Sequence, residues 1–401
     1  MKAIDILYLA KQGGIDISLN GEQLQLKVPE NKIIDDTLLQ QVRDNKQLII
    51  DYLSNSIWKS NSVNNNYQKI QKVDKNLIDK IPLSFSQERL WFIHQLEGSM
   101  QYHASEVLWL NGNLNKNALE HALQMVVNRH EVLRTIIKEE GGQTFQQIKQ
   151  KDSWQLHIID GSHYQNNKKL LQKDIDELIN KPFNLSKDDM MRVYLITLNV
   201  HEQLLVITFH HIAYDGWSRP ILVKEIAELY ASFLENRFPV LPALALQYSD
   251  YAMWQRQYLQ GDILDAKISY WKEKLQGVTS LQMPTDFKRP AVQTAKGTSI
   301  TFTIDKDLSN NIKQLSKQQE ATLFMTLLSA FKVLLFHYSG QQDICVGTSI
   351  ADRKQEVENL IGFFVNTLAL RSEVKANATF IELLQQVKTT TLQAYQHQEA
   401  P

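Results

Sequence analysis

The chain has 401 residues, of which 22% are charged, and its formal net charge at pH 7 is -1. Such a balance creates no extended positive field, which argues against binding to nucleic acid or to an anionic membrane surface. Cys345 is the only cysteine, so an internal disulfide is excluded and a reducing compartment, the cytoplasm, is predicted. No apolar run is long enough to span a bilayer, and the first residues make a poor signal peptide.

Residues 1–55 are predicted to form a small domain of their own. Ala3 to Gly13 is typical of a helix, and two alternating apolar segments flank Asn20 and Gly21, which favours a hairpin turn at that pair. Asp36 is placed to cap a further helix. The second strand of the hairpin contains Leu24, Leu26, Lys27 and Val28.

Residues 56–80 are rich in Asn, Ser and Lys, which predicts a linker. From residue 81 onward, helical and strand patterns alternate. We predict one lobe over 81–255 and a second over 256–401, the second including a long apolar helix from Ala321 to Tyr338 that ends at Gly340.

Two adjacent histidines follow the apolar stretch 204–209. Because side chains alternate along a strand, His211 is predicted to share a face with the odd-numbered apolar residues, and His210 to point the other way. The pair is therefore poorly placed to bind one metal ion, and no metal site is predicted. Asp215 and Gly216 indicate a turn, with glycine supplying backbone freedom. A histidine in such a place is either a packed core residue or a base for proton transfer.

The segment from His210 to Ser218, spelled HHIAYDGWS, resembles the HHxxxDG active-site motif of the condensation domains of non-ribosomal peptide synthetases. Further segments resemble motifs of that family in the same order: Leu83–Phe92, Asn128–Thr135, Tyr248–Gln255 and Ile361–Leu368. The N-terminal domain resembles docking domains of the tubulysin-synthetase type, and there Leu24, Leu26, Lys27 and Val28 are the candidate docking residues.

This resemblance implies a mixed α/β (α+β) fold. Two chloramphenicol-acetyltransferase-like lobes would meet in a V, with His211 at their junction, after an αββα(α) docking domain. The implied reaction is peptide-bond formation, in which the amine of a downstream aminoacyl thioester attacks an upstream acyl or peptidyl thioester. Both substrates would ride on phosphopantetheine arms of donor and acceptor peptidyl carrier proteins, and the chain itself would bind no cofactor. An upstream synthetase subunit would dock at the N-terminus, and an adenylation domain would lie downstream.

His211 is the predicted general base, because a neutral imidazole near pKa ~6.5 can accept the proton of an amine near pKa ~7.7–8.0. The family also allows a positioning or charge-stabilising role for this residue. His210 and Gly216 belong to the same predicted catalytic motif, and His210 is interpreted as the structural member of the pair.

Asp215 is expected to pair with an arginine, as the corresponding acid does in the family. Arg289 is the candidate because residues 283–290 are similar to the family segment L-P-T-D-R-P-R-P, and Arg134 is the second candidate. An unpaired surface arginine is an equally good interpretation of either residue.

Three further side chains are singled out as supporting residues. Trp217 is predicted to line a substrate tunnel and Ser218 to cap a helix. Asn366 has two interpretations: its amide reaches the reaction chamber, or it satisfies a strand edge.

Other functions of the same fold are a non-catalytic platform that recruits a partner protein and an epimerisation domain. The first is disfavoured because the HHxxxDG motif is intact, the second because epimerisation domains lack the match at Ile361–Leu368. Leu96–Ser99 and Ile361–Arg371 are more similar to the subtype that accepts a D-configured donor. His397 to Pro401 resembles the start of a family motif that continues further, so a truncated second lobe is expected, with Phe363, Phe364 and the long apolar helix uncovered.

Overall fold

The computed structural model describes residues 16–20, 23–27, 40, 42–46, 69–164, 167–291 and 297–401. The chain divides into two compact units, Met1–Lys69 and Ile70–Pro401. The predicted helix at Ala3 to Gly13 and the docking candidate Val28 lie outside the described residues.

The first unit contains the predicted hairpin. Strand β1 (Asp16–Asn20) runs antiparallel to β2 (Gln23–Lys27), so the prediction of two paired strands is confirmed. Asn20 pairs with Gln23 and thus belongs to the strand, although the sequence pattern predicts it in the turn. Helical residues at 42–44 and 46 fall within the predicted second helix.

The second unit begins inside the predicted linker. Ile70 is 3% exposed and joins the main hydrophobic core, and the Val73 amide donates to the Asp250 carboxylate at 3.1 Å. An apolar side chain that gains a core position stabilises the segment that carries it. The linker predicted for 56–80 therefore does not reach Lys80, because its last part packs on the domain.

The first half of the second unit is built on a four-stranded sheet in the order β4-β9-β8-β7 and a three-stranded sheet in the order β3-β6-β5. The strands are β3 (Ile81–Pro82), β4 (His103–Asn111), β5 (Thr135–Glu140), β6 (Gln143–Ile148), β7 (His157–Asp160), β8 (Met191–Thr197) and β9 (Glu202–His210). β9 lies between two antiparallel neighbours, and Leu205 and Ile207 enter one core while Leu204 and Val206 enter another. This two-sided burial explains why the strand is apolar at consecutive positions.

The helices of the second unit are α1 (Phe85–Glu97), α2 (Lys116–Arg129), α3 (Lys168–Asn180), α4 (Ser218–Leu234), α5 (Tyr248–Tyr258), α6 (Gly261–Leu275), α7 (Lys306–Gln318), α8 (Leu323–Ser339) and α9 (Phe380–Gln396). Apolar residues recur at helical spacing along α2, which favours a buried stripe, and Leu119, Leu123 and Val126 of that stripe are buried. The lobe boundary predicted after Gln255 falls within α5, and Tyr258, beyond that point, packs against the same core as Tyr251 and Trp254.

The second half pairs β10 (Asp343–Ala351) with β11 (Val365–Glu373) and packs α8 and α9 beside them. The predicted end of the apolar helix is confirmed, since Gly340 follows α8 with φ 69°.

Part of the apolar surface of this half is uncovered, as Phe331 at 47% and Leu334 at 50% exposure show. Phe363 and Phe364, in contrast, are 7% and 1% exposed, so the expectation that they lose their cover is wrong. Within the described residues no single helix meets the length and hydropathy of a membrane span, and only α7 and α8 together, bent by 106°, meet them.

Candidate active site

His211 lies one residue beyond the end of β9, in a single 3-10 turn formed by His211–Ala213. Its direction is set by that turn, so the strand alternation used in the sequence prediction does not extend to it. The ring Nδ1 is 2.8 Å from the carbonyl oxygen of Tyr214. A carbonyl can only accept a hydrogen bond, so Nδ1 carries the proton of the neutral ring and Nε2 keeps its lone pair.

The surroundings of His211 leave it partly exposed, and its ring centroid lies 6.0 Å from that of Phe363. A base must be accessible to the reacting atoms and gains from an apolar neighbour that limits water; the His211 ring is partly exposed and has Phe363 beside it. The geometry therefore supports the prediction that His211 is the proton acceptor.

His210 is fully buried and its two ring nitrogens are both engaged. Nδ1 accepts the backbone N–H of Ile212 at 3.1 Å, and Nε2 is 2.8 Å from the hydroxyl of Ser99. Burial, followed by the nearby rings of His103, His94 and His211, lowers the pKa of His210 to about 3. The ring is neutral at physiological pH and has no free lone pair, which supports its interpretation as the structural member of the pair.

Asp215 accepts four hydrogen bonds in a buried position. Oδ1 receives the backbone N–H of Ser218 at 3.0 Å, the Ser218 hydroxyl at 2.8 Å and Arg353 Nη2 at 2.7 Å, and Oδ2 receives the Phe364 N–H at 3.1 Å. The side chains of Asp215 and Arg353 are 1% and 2% exposed. The acid thus forms the predicted buried ion pair, but with Arg353, a residue that the sequence analysis missed.

Both predicted partners of Asp215 are wrong. Arg289 is exposed and donates to the Met283 carbonyl at 3.3 Å. Arg134 is buried, but it donates to the Lys149 carbonyl and lies 3.8 Å from Glu131. A usable signal for Arg353 exists in the sequence, because Arg353 lies two residues after the apolar segment 343–351, where a charged side chain at a strand end can point into a site.

Arg353 also organises the segment between β10 and β11. Its Nη1 donates to the carbonyls of Val357 at 3.2 Å and Leu360 at 2.6 Å, and its guanidinium lies 4.2 Å over the Phe364 ring. Asp215 therefore fixes a second-half loop to the turn that carries His211. The loop brings Phe363 beside the His211 ring.

Residues of the other motifs tie the same loop to the first half. His130 Nδ1 accepts the Ile361 N–H at 3.3 Å while its Nε2 faces Glu225 at 2.8 Å. Tyr248 donates to the Phe363 carbonyl at 2.6 Å and lies 2.8 Å from the Ser84 hydroxyl. Segments that are far apart in the sequence thus meet in one polar network around 352–364.

Ser218 does not act as the capping hydroxyl that the sequence predicts. It is the first residue of α4, it is fully buried, and its hydroxyl lies 3.1 Å from the Gly362 carbonyl. Trp217 is 51% exposed, and its indole N–H donates to the Glu358 carbonyl at 3.2 Å. Its role in a substrate tunnel stays a prediction.

Gly216 differs from its predicted role. It has no positive φ, and a Cβ there would meet nothing within 4 Å, so this position does not require glycine for its backbone conformation.

The Asn366 amide is engaged on both sides. Its NH₂ group donates to the carbonyls of Gln398 at 2.8 Å and Ala400 at 2.6 Å, and its oxygen accepts from Arg89 at 3.1 Å. These contacts join β11 to the residues after α9, and the role of Asn366 in the reaction stays a prediction.

At Gly362 there is no room for a larger side chain. A Cβ at this position would lie 2.4 Å from Tyr248 Cδ2 and 2.6 Å from Phe364 Cε2, both within rigid buried rings. We expect Gly362→Ala to lower the free energy of unfolding by about 1–3 kcal/mol, the usual cost of overpacking. Denaturant unfolding measures this, with Gly347→Ala as the control because its Cβ would meet its nearest neighbour at 3.7 Å. Equal stability of the two variants would contradict the prediction.

The site thus has the features of an acyltransferase that works by acid–base chemistry: an imidazole with a fixed tautomer, held by a buried ion pair that joins two halves of a mixed α/β fold. The profile of the Condensation domain family matches residues 78–401. The chain belongs to the condensation-domain family, whose members in peptide synthetases are amide-forming acyltransferases.

Individual relatives agree with this assignment. The chain is 42% identical over 327 residues to one subunit of the linear gramicidin synthase of Brevibacillus parabrevis, a match that covers 80% of this chain and 6% of that protein. The X-domain in a complex with OxyB from teicoplanin biosynthesis is 26% identical, covers 83% of this chain and 73% of that one, and has a TM-score of 0.76. The first condensation domain of the calcium-dependent antibiotic synthetase shows the same fold, at 18% identity and a TM-score of 0.67, over 80% of this chain and 76% of that one.

Proposed function

We propose that this chain forms a peptide bond between two carrier-bound thioesters, with His211 as the general base. The observation that carries the proposal is the hydrogen bond from His211 Nδ1 to the Tyr214 carbonyl, at 2.8 Å. It fixes the tautomer in which Nε2 can accept a proton, as acyl transfer to an amine requires.

In the proposed step, the amine nitrogen of the acceptor attacks the carbonyl carbon of the donor thioester. The new C–N bond forms while an N–H proton moves to His211 Nε2. The C–S bond then breaks, and the thiol of the donor arm leaves with the proton that His211 returns. The phosphopantetheine arms belong to the donor and acceptor carrier proteins, which are therefore the proposed partners.

The intact mass of the acceptor carrier tests this function. Donor carriers loaded with an L or a D aminoacyl group are incubated with a loaded acceptor carrier, with and without the chain. We expect the acceptor to gain the mass of the donor group only when the chain is present, and faster with the D donor. Absence of product with every donor would overturn the condensation proposal, and equal turnover of the two donors would remove the stereochemical preference alone.

A second candidate is a platform that recruits another protein without catalysis. The specific observation in its favour is the likeness to an X-domain whose solved complex contains OxyB. A non-catalytic platform does not need a particular tautomer of His211, however. The fixed tautomer of this residue therefore favours catalysis. Binding of loaded carriers without transfer of the donor group would favour the platform.

For the N-terminal unit we propose docking of a C-terminal tail from an upstream synthetase subunit. Extended tails bind hairpins by adding a strand, and within the described residues β2 pairs only with β1. Leu26 on β2 is 40% exposed, and Lys27 suits an acidic tail. An adenylation domain as a further neighbour and the cytoplasm as the compartment are part of the same proposal; the match spans 6% of the linear gramicidin synthase subunit, so that relative carries much further sequence.

Removal of residues 1–54 is expected to abolish transfer from a separate upstream subunit while leaving transfer between directly supplied carriers intact. Leu26→Asp should weaken tail binding, because it places a charge on the apolar face of β2. Gln25→Glu is the control, since neighbouring strand residues face opposite ways. Titration with upstream C-terminal peptides measures both variants, and equal affinities would exclude β2 as the docking edge.

A further inference from the structure

Ser99 occupies the junction between α1 and β4. It is 4% exposed, and its hydroxyl lies 2.8 Å from His210 Nε2 and 2.7 Å from His94 Nδ1. The backbone holds it there: Gly98 ends α1 with φ 78°, and the Ser99 carbonyl accepts the Tyr102 N–H at 2.9 Å. A side chain placed this firmly has little freedom to choose other partners.

The direction of the hydrogen bonds follows from one fixed donor. The backbone N–H of Ile212 can only donate, so His210 Nδ1 is an acceptor and the proton of the neutral ring is on Nε2. Nε2–H donates to the Ser99 oxygen, and the Ser99 hydroxyl then donates to His94 Nδ1. Burial lowers the pKa of both His210 and His94, so both rings are neutral members of this chain of bonds.

No other partner for His210 Nε2 is found among the described residues. His103 pairs with His210 across β4 and β9, and its ring centroid is 6.2 Å away. Its Nδ1 is bonded to the Ile179 carbonyl at 2.9 Å, and its Nε2 makes no hydrogen bond. Without the Ser99 hydroxyl, His210 Nε2–H would be a buried donor without a partner, which is unfavourable.

The hydrogen bond between the Ile212 N–H and His210 Nδ1 holds the turn that carries His211. Ile212 lies at the centre of the His211–Ala213 turn, and its N–H is held by His210 Nδ1. If the proton moved to Nδ1, two donors would face each other and the turn would lose this anchor. His211 would then no longer be held where its Nδ1 reaches the Tyr214 carbonyl.

We propose that Ser99 is a positioning residue for His211, which acts by accepting the Nε2–H bond of His210 and so holding the His210 ring where its Nδ1 anchors the catalytic turn. The expected effect on the rate rests on the proposed function. The expected effect on the hydrogen bond of His210 Nε2–H is independent of that function.

The test uses the full chain labelled with ¹⁵N-histidine. The ¹⁵N shifts of His210 report which ring nitrogen carries the proton, and kinetic assays with loaded carriers give kcat and KM. We expect Ser99→Ala to shift the ¹⁵N resonance of His210 Nε2, because that N–H loses its acceptor, and to lower kcat by about 10-fold to 100-fold with KM unchanged, as expected for a misplaced catalytic group. Ser99→Thr keeps the hydroxyl and should restore both properties.

Two further variants separate positioning from general packing. Ser105→Ala removes a hydroxyl that bonds Thr208 between β4 and β9 at 3.4 Å, and it should change neither the ¹⁵N shift of His210 Nε2 nor kcat. His94→Ala removes the acceptor of the Ser99 hydroxyl but leaves the Ser99 oxygen, so His210 Nε2–H should keep its hydrogen bond.

The proposal is overturned if Ser99→Ala leaves the ¹⁵N shift of His210 Nε2 unchanged, or if Ser105→Ala lowers kcat to the same extent. Should the wild-type chain form no product, the proposed function fails, and the ¹⁵N shifts still decide whether Ser99 controls His210. If Ser99→Ala does not fold, the comparison of Ser99→Thr with Ser99→Val, which have the same shape, replaces it.

Discussion

Replacement of His211 with alanine is expected to lower the rate of condensation by about 10²-fold to 10⁴-fold, the usual contribution of a positioned base. The loss arises because the other basic groups of the motif are already engaged: His210 uses both of its ring nitrogens, and Asp215 is saturated by hydrogen bonds. Stability should change little, since the His211 ring is partly exposed and its removal opens no enclosed cavity.

The measurement is the initial rate of donor transfer between loaded carriers, followed by intact mass. His201→Ala is the matched control because His201 is an exposed histidine in the turn that precedes β9. A rate for His211→Ala within a few-fold of that for His201→Ala would reject the assignment of His211 as the base. It would leave the alternative in which His211 only orients the substrate.

Replacement of Asp215 with alanine is expected to lower the free energy of unfolding by about 3–5 kcal/mol, because it leaves the Arg353 guanidinium buried without its counter-ion. The loss of stability should exceed that caused by replacing an ordinary turn residue, since the Asp215 carboxylate also accepts hydrogen bonds from the backbone amides of Ser218 and Phe364. Activity should fall as well, because the loop that places Phe363 beside His211 loses its attachment.

The pair is best tested by a double-mutant cycle in denaturant unfolding. Arg353→Met removes the charge, and the double variant Asp215→Ala, Arg353→Met should lose less stability than the sum of the single variants, because no unpaired buried charge remains. Glu177→Ala breaks an exposed ion pair with Lys173, at 3.5 Å, and is the control expected to change stability very little. Additive effects of the two single variants would contradict a direct Asp215–Arg353 interaction.

Much of the local structure is accessible from the sequence. The alternation around Asn20 and Gly21 predicts the hairpin, the apolar stripe of α2 predicts its buried face, and Gly340 marks the end of α8. These features follow from interactions between residues close in the sequence, where the periods of helix and strand decide which side chains are buried.

The errors concern contacts between distant segments. Polar composition extends the predicted linker to Lys80, although Ile70 finds a place in the core. The predicted boundary after Gln255 falls inside a helix, because the end of a motif need not be the end of a lobe. Neither the amino-acid composition of a segment nor the end of a sequence motif shows which hydrophobic core a side chain joins.

Sequence motifs predict the family and place the histidine pair at the end of a strand, and the family resemblance implies an arginine partner for Asp215. The identity of that arginine, and the ring nitrogen that carries the proton in each histidine, depend on contacts between distant segments. Arg353 lies 138 positions from Asp215, and its bond exists because the loop after β10 returns to the first half. The histidine tautomers depend on single backbone groups, the Tyr214 carbonyl and the Ile212 N–H, whose directions are set by a 3-10 turn that periodicity does not predict.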